Sequence, residues 1–141
     1  SGGDDMKVVV TRADTGDKLS SMEGHQASIN QVISISEDMV GTASNDCTIR
    51  IWSLGLQRCL TVLISTENIV TSLVLLNDEV LVSGHKASQD SQGLIKYWDL
   101  PSKALIRSEV AHDGPVSCLV KLNAISFLSG SSNADVKQWL Y

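Results

Sequence analysis

Ile29–Thr42 (INQVISISEDMVGT), Val70–Ser83 (VTSLVLLNDEVLVS) and Val116–Ser129 (VSCLVKLNAISFLS) align without a gap, at offsets of 41 and 87 residues. Each is an alternating apolar run, a polar break and a second apolar run. The breaks, Glu37-Asp38, Asn77-Asp78-Glu79 and Asn123, have the turn chemistry that joins two antiparallel strands. A period of this length marks a repeat architecture, so it takes precedence over any local assignment.

Working outward, each copy reaches a third short run ending in tryptophan: Thr48-Ile49-Arg50-Ile51-Trp52, Leu94-Ile95-Lys96-Tyr97-Trp98 and Asp135-Val136-Lys137-Gln138-Trp139. Trp139 keeps the offset of 87 from Trp52, whereas Trp98 lies 46 residues beyond Trp52 instead of 41. The middle copy therefore carries an insertion between its second and third strands, expected as a loop within His85–Gly93. Fourth strands follow at Arg58–Ile64 and Ala104–Val110. Lys7–Thr11 and Lys18–Glu23 read as the third and fourth strands of an earlier, incomplete unit. No segment sustains a helical period.

The chain has 141 residues, 43% hydrophobic and 19% charged, enough for a folded core and inconsistent with wholesale disorder. Its net charge of −5 has the wrong sign for a surface that neutralises many phosphates, which argues against a nucleic-acid partner. Cys47, Cys59 and Cys118 form no zinc-binding spacing and read as reduced thiols, placing the chain in the cytoplasm or nucleus. Apolar stretches are too short to span a bilayer, so no membrane role is expected. Residues 1–6 are polar and Gly-rich and read as a disordered or vector-derived end.

A four-stranded sheet buries little alone, and units of this length ending in tryptophan match the blades of a β-propeller, where sheet packs on sheet around an axis. The basic residues of the third strands are expected to lay their stems along apolar surface. The chain resembles the WD-repeat family in Gly24-His25, in Thr42-Ala43-Ser44-Asn45-Asp46 leading into Thr48–Trp52, in Trp98-Asp99 and in Thr15-Gly16. The resemblance implies an all-β propeller fragment. Two complete four-stranded antiparallel blades (24–64 and 65–110) are flanked by a half blade (7–23) and three strands of a final blade (111–141). It reads as the C-terminal part of a larger propeller, whose exposed end faces would favour self-association or pairing with further blades.

The resemblance also implies a buried hydrogen-bond relay in each blade. The first complete blade supplies His25, Thr42, Asp46 and Trp52. The last supplies His112, Ser129, Asn133 and Trp139, with Asn in place of Asp. The middle blade keeps Ser83 and Trp98 but has Thr66 where His belongs, so no relay is expected there.

A nucleophilic triad could be drawn from His25, Asp46 and a hydroxyl, but a constellation repeated once per blade is structural. GxSxG, GxxxxGK[ST] and HExxH are absent from the sequence, and neither a cofactor nor a metal is expected. The acidic pairs sit in repeated turns and read as solvated. Arg12, Arg50, Arg58 and Arg107 are dispersed, unlike a phosphopeptide-binding cluster. The resemblance therefore implies a non-catalytic scaffold that presents loops to a peptide or protein. The candidate contacts are Lys86, Ser88, Gln89 and Asp90 in the insertion, with Gln26, Ser28, Asn68 and Asp113 on the same face. The alternative is an enzyme or small-ligand domain built from propeller loops.

Overall fold

The computed structural model describes residues 1–87 and 92–141. Among these residues the chain is all-β, with thirteen strands in four antiparallel sheets. The first sheet pairs β1 (Val8–Thr11) with β2 (Lys18–Met22). The second runs in order β3 (Ile29–Ser34), β4 (Met39–Ser44), β5 (Thr48–Ser53) and β6 (Arg58–Ile64). The third runs β7 (Asn68–Leu75), β8 (Val80–Ala87), β9 (Gly93–Asp99) and β10 (Ala104–His112). The fourth is β11 (Val116–Asn123), β12 (Ser126–Ser131) and β13 (Val136–Leu140).

Two expectations about local structure are corrected. Part of the insertion is strand: His85 pairs with Leu94 and Lys86 with Gly93, so the extra residues extend the β8–β9 ladder. Residues 1–6, expected to fray, are held against β1. Gly2 bridges Val8, the Ser1 ammonium donates to the Val9 carbonyl at 2.6 Å, and the Val9 N–H donates to Ser1 O at 2.8 Å. Shifted by the repeat of 41, Ser1-Gly2-Gly3-Asp4-Asp5 falls on Thr42-Ala43-Ser44-Asn45-Asp46. The Gly2–Val8 bridge thus reproduces the Ala43–Ile49 pair of β4 and β5.

The turns repeat at the level of backbone angles. Met6, Cys47 and Ala134 share one repeat position between second and third strands and have φ of 61°, 64° and 64°. Gln57 and Lys103 share another between third and fourth strands, at 52° and 60°. Non-glycine residues enter this region only where the surrounding hydrogen bonds over-determine the turn, so the ladders on either side hold them there.

The cores lie between sheets. Val8 and Met22 of the first sheet meet Ile29 and Trp52 of the second. Ala43, Ile49 and Leu63 of the second meet Leu73, Leu81 and Trp98 of the third. Val82, Ile95 and Tyr97 of the third meet Val116, Leu119 and Phe127 of the fourth, with Trp139 packed alongside. Burying a side chain such as Phe127, which has no exposed surface, contributes roughly 1.5–3 kcal/mol.

The inner strands are also stitched together. β3, β7 and β11 each carry a bulge at the same repeat position, at Asn30, Thr71 and Ser117. A bulge re-aims its side chain. The Asn30 amide donates to Val70 O at 2.7 Å, and the Thr71 hydroxyl donates to Val116 O at 2.6 Å, each reaching the first strand of the next sheet. Gln31 accepts the Leu73 N–H at 2.5 Å across the same junction.

Close approach between the third and fourth sheets depends on Gly84, where an added Cβ would lie 2.5 Å from both Val116 Cγ1 and Ser72 Oγ. Gly84→Ala is therefore expected to lower unfolding stability by about 1–3 kcal/mol through overpacking. Urea titration followed by tryptophan fluorescence measures it, and an unchanged midpoint would contradict this packing.

Candidate functional site

In the second sheet, the residues that the sequence grouped as a relay come together. The Trp52 indole N–H donates to Thr42 Oγ1 at 2.9 Å, Thr42 Oγ1 lies 2.6 Å from His25 Nε2, and His25 Nδ1 lies 2.8 Å from Asp46 Oδ2. A neutral imidazole protonated on Nδ1 satisfies every group: indole to hydroxyl, hydroxyl to imidazole, imidazole to carboxylate. Asp46 also accepts from the Thr48 hydroxyl at 2.6 Å and from the Gln26 N–H at 3.0 Å. The relay thus ties the connection before β3 to β4, β5 and their turn.

The fourth sheet repeats the arrangement with one substitution. Trp139 Nε1 donates to Ser129 Oγ at 2.7 Å, Ser129 Oγ lies 2.7 Å from His112 Nε2, and His112 Nδ1 lies 2.9 Å from Asp135 Oδ2. Asn133, assigned to this place from alignment with Asp46, is not the partner: it is exposed, and the carboxylate two residues later takes the bond. Asp135 stands where Thr48 stands in the second sheet. Thr48 lies near the same imidazole nitrogen, at 3.4 Å, so a longer acidic side chain there reaches it directly.

The third sheet has a relay where none was expected. Trp98 Nε1 donates to Ser83 Oγ at 2.7 Å, and Ser83 Oγ lies 2.6 Å from His85 Nε2. His85 Nδ1 lies 3.1 Å from Ser65 Oγ, and the buried Lys96 ammonium donates to Ser65 O at 2.8 Å and Oγ at 3.0 Å. The imidazole comes from β8 instead of the connection before β7, two residues past its hydroxyl partner. The relay therefore ends on a hydroxyl backed by a cation, where its neighbours end on carboxylates.

The third-strand cations form a further repeated contact. Lys96 reaches Ser65 O, and Lys137 reaches Ala111 O at 2.7 Å, the equivalent backbone position before the first strand. In the second sheet the equivalent residue is Gly24, where a Cβ would lie 2.8 Å from Arg50 Nη1 and 3.1 Å from Trp52 Cη2. A side chain there would displace the end of the Arg50 guanidinium and press on the Trp52 indole.

These environments shift the titrating groups. Burial holds His25 below its ordinary pKa, outweighing the opposing pull of Asp46. Burial works to raise Asp46, but the bonds from Thr48, Gln26 and His25 bring it down to about 2. His85 is pushed down to about 3 by burial and then by the Lys96 cation. Burial also lowers Lys96, while Asp135 is lowered chiefly by its bond to His112.

Residues 16–53 match the family profile described as WD domain, G-beta repeat. Over that stretch the chain is similar to the WD-repeat proteins. Over 76 residues it is 38% identical to Pre-mRNA-processing factor 19 of Mus musculus, a match spanning 53% of this chain and 15% of that protein. Over 112 residues it is 28% identical to Mitochondrial division protein 1 of Schizosaccharomyces pombe, covering 70% of this chain and 17% of that one. The chain thus spans a small part of these relatives. The solved structure of U3-55K superposes with a TM-score of 0.87 at 18% identity, over 99% of this chain and 42% of that one, a likeness of fold.

The WD-repeat hydroxyls that could be read as nucleophiles, Thr42, Ser83 and Ser129, have no exposed surface. Among the described candidates, Gln26, Ser28, Asn68, Lys86 and Asp113 lie at the end of the sheets that carries the β2–β3, β6–β7 and β10–β11 connections. Gln26, Lys86 and Asp113 are exposed, and Ser28 is half-buried. Asn68 is engaged locally, its amide donating to Thr66 O at 2.9 Å and Ser65 O at 3.3 Å. Ser88, Gln89 and Asp90 lie outside the described residues.

Thr42→Val removes the hydroxyl shared by Trp52 and His25 and leaves two buried groups without it. A loss of roughly 2–4 kcal/mol is expected, with Thr42→Ser recovering most of it, measured by urea unfolding. His85 gives stability a pH dependence. Its unfolded pKa is 6.5 and its folded value about 3, so the unfolded chain takes up a proton that the fold refuses between those limits. Stability is full above pH 6.5 and falls as pH drops toward 3, with His25 adding the same sign. A melting temperature lower by about 5 °C or more at pH 4.5 than at pH 7.5 is expected, and a shallower decline for His85→Asn.

Proposed function

We propose that the chain is a non-catalytic interaction segment that presents loops to a protein or peptide within a larger assembly in the cytoplasm or nucleus. WD-repeat chains serve in general as protein-interaction scaffolds. The observation that carries the reading here is where the polar chemistry sits. Every imidazole and its hydroxyl partner is turned inward to brace a blade, while Gln26, Lys86 and Asp113 stand exposed at one end of the sheets. Buried hydroxyls bonded to indoles offer no path to a substrate. The similarity to Pre-mRNA-processing factor 19 and Mitochondrial division protein 1 supports a scaffold role in general, and partner identity is not carried over from either. Exposed apolar side chains on the fourth sheet, among them Val120, Leu122 and Val136, support pairing with a further WD-repeat blade, in the same chain or another.

The test is affinity capture with quantitative mass spectrometry, comparing the natural chain with a Gln26→Ala/Lys86→Glu/Asp113→Lys variant of unchanged melting temperature. Loss of a defined partner set in the variant is the expected outcome. Retention of every partner would remove this face from the reading. Hydrolysis of nitrophenyl esters or phosphates that disappears in a folded His25→Ala protein would replace it with the enzymatic one.

A further inference from the structure

The repeat allows one junction between sheets to be compared with the next, and the comparison isolates a groove. Between the third and fourth sheets, the outer part of the junction is filled. The Arg107 guanidinium lies 4.1 Å over the Tyr97 ring, and the Tyr141 ring lies 5.8 Å from Tyr97. Between the second and third sheets, the equivalent positions are Ile51 for Tyr97, Thr61 for Arg107 and Leu100 for Tyr141. The strand register makes the first two equivalences explicit: Ile51 pairs with Thr61 as Tyr97 pairs with Arg107. Three smaller side chains take the place of a Tyr–Arg–Tyr stack, and they leave an open groove of about 500 Å³. Val10 and Leu54, the equivalents of Ile51 and Leu100 at the first junction, line a smaller pocket of about 210 Å³. The large groove lies between the two complete blades, whose facing strands are all present.

We propose that this groove docks a basic peptide segment through an aromatic anchor side chain. The walls are apolar, with Ile35, Met39 and Leu60 facing Leu100 and Pro101. The neighbouring junction shows which shape fits such a slot, because there the chain places a phenol ring beside the equivalent residues. Charge selects the flanks. Asp78 and Lys103 stand at the rim, and the turns at this end of the sheets add Glu37, Asp38 and Glu79 against Arg58, four acids to two bases. An aromatic ring buried in a pocket and flanked by cations is a common energetic centre of a peptide interface. The proposal rests on the interaction-module reading but uses the opposite end of the sheets from Gln26, Lys86 and Asp113.

Panning the full chain against a random dodecapeptide phage library, then measuring anisotropy of the fluorescein-labelled consensus peptide, tests the proposal. The expected consensus is Phe, Tyr or Trp beside Lys or Arg. Ile51→Tyr/Thr61→Arg, which rebuilds the stack of the neighbouring junction, is expected to weaken binding by at least about tenfold. Asp78→Lys, exposed and outside the core, decides the matter if that variant does not fold, and is expected to weaken binding by about threefold or more. Lys86→Glu/Asp113→Lys should leave the affinity unchanged, which separates this site from the loop face. Failure to enrich any peptide, an acidic consensus, or affinity indifferent to both groove variants overturns the proposal. Self-association that the groove variants abolish, seen by light scattering, would assign the groove to a second copy instead.

Discussion

Apolar side chains leave both faces of the inner sheets, and nothing within one sheet can cover them. In the third sheet, Leu73 and Leu81 project toward the second, while Val82, Ile95 and Tyr97 project toward the fourth. Each sheet therefore acts as the missing core of its neighbours, and stability is a property of junctions. The indoles follow from this constraint. Trp52, Trp98 and Trp139 all face the preceding sheet, where a large flat side chain covers the most area, and each turns its N–H back into its own blade.

That N–H creates the second constraint, because a buried donor without an acceptor is costly. Each blade places a hydroxyl of its second strand against the indole, and the hydroxyl proton then needs an acceptor of its own. An imidazole supplies one and passes the same requirement on. The chain of demands must end somewhere charged or wet, and it ends in two ways. Asp46 and Asp135 close the outer relays as carboxylates. In the third sheet Ser65 accepts from both His85 and Lys96, so a cation closes the relay through a shared hydroxyl. Burial disfavours the charged form of His25 against the pull of Asp46, and of His85 together with the Lys96 cation.

The strands were readable because apolar alternation and turn residues recur at a fixed offset, and the period corrected what any one copy left vague. The relay of the second sheet was readable for the same reason. The errors arose where different sequence positions reach the same point in space. Asp135 replaces Asn133 because the carboxylate immediately before β13, at the position of Thr48, reaches the imidazole nitrogen that Asp46 reaches from the turn in the second sheet. His85 replaces the missing histidine of its blade from a neighbouring strand, and alignment by position is blind to that exchange. Its signal was present as a histidine two residues after the relay serine, in a segment assigned to a loop. The second-strand character of Ser1–Gly3 was hidden by glycines, which carry no apolar alternation, although extending the 41-residue offset places them on Thr42–Ser44. The bulges at Asn30 and Thr71 left no trace in composition, since their role depends on the carbonyl of a different blade.

A repeat also supplies its own control for function. Where two blades make the same contact, as with Lys96 on Ser65 O and Lys137 on Ala111 O, the residue answers to folding, and its presence says nothing about a ligand. Where equivalent slots are filled differently, folding alone has not dictated the choice. The outer slot of the junctions is such a place: Tyr97, Arg107 and Tyr141 close it once, while Ile51, Thr61 and Leu100 leave it open beside a rim of acidic turns. The filled version shows that closure is compatible with the blade, so the open one is not a geometric necessity. An apolar groove that the same architecture knows how to fill exposes surface at a cost, and that cost is offset when something else occupies it.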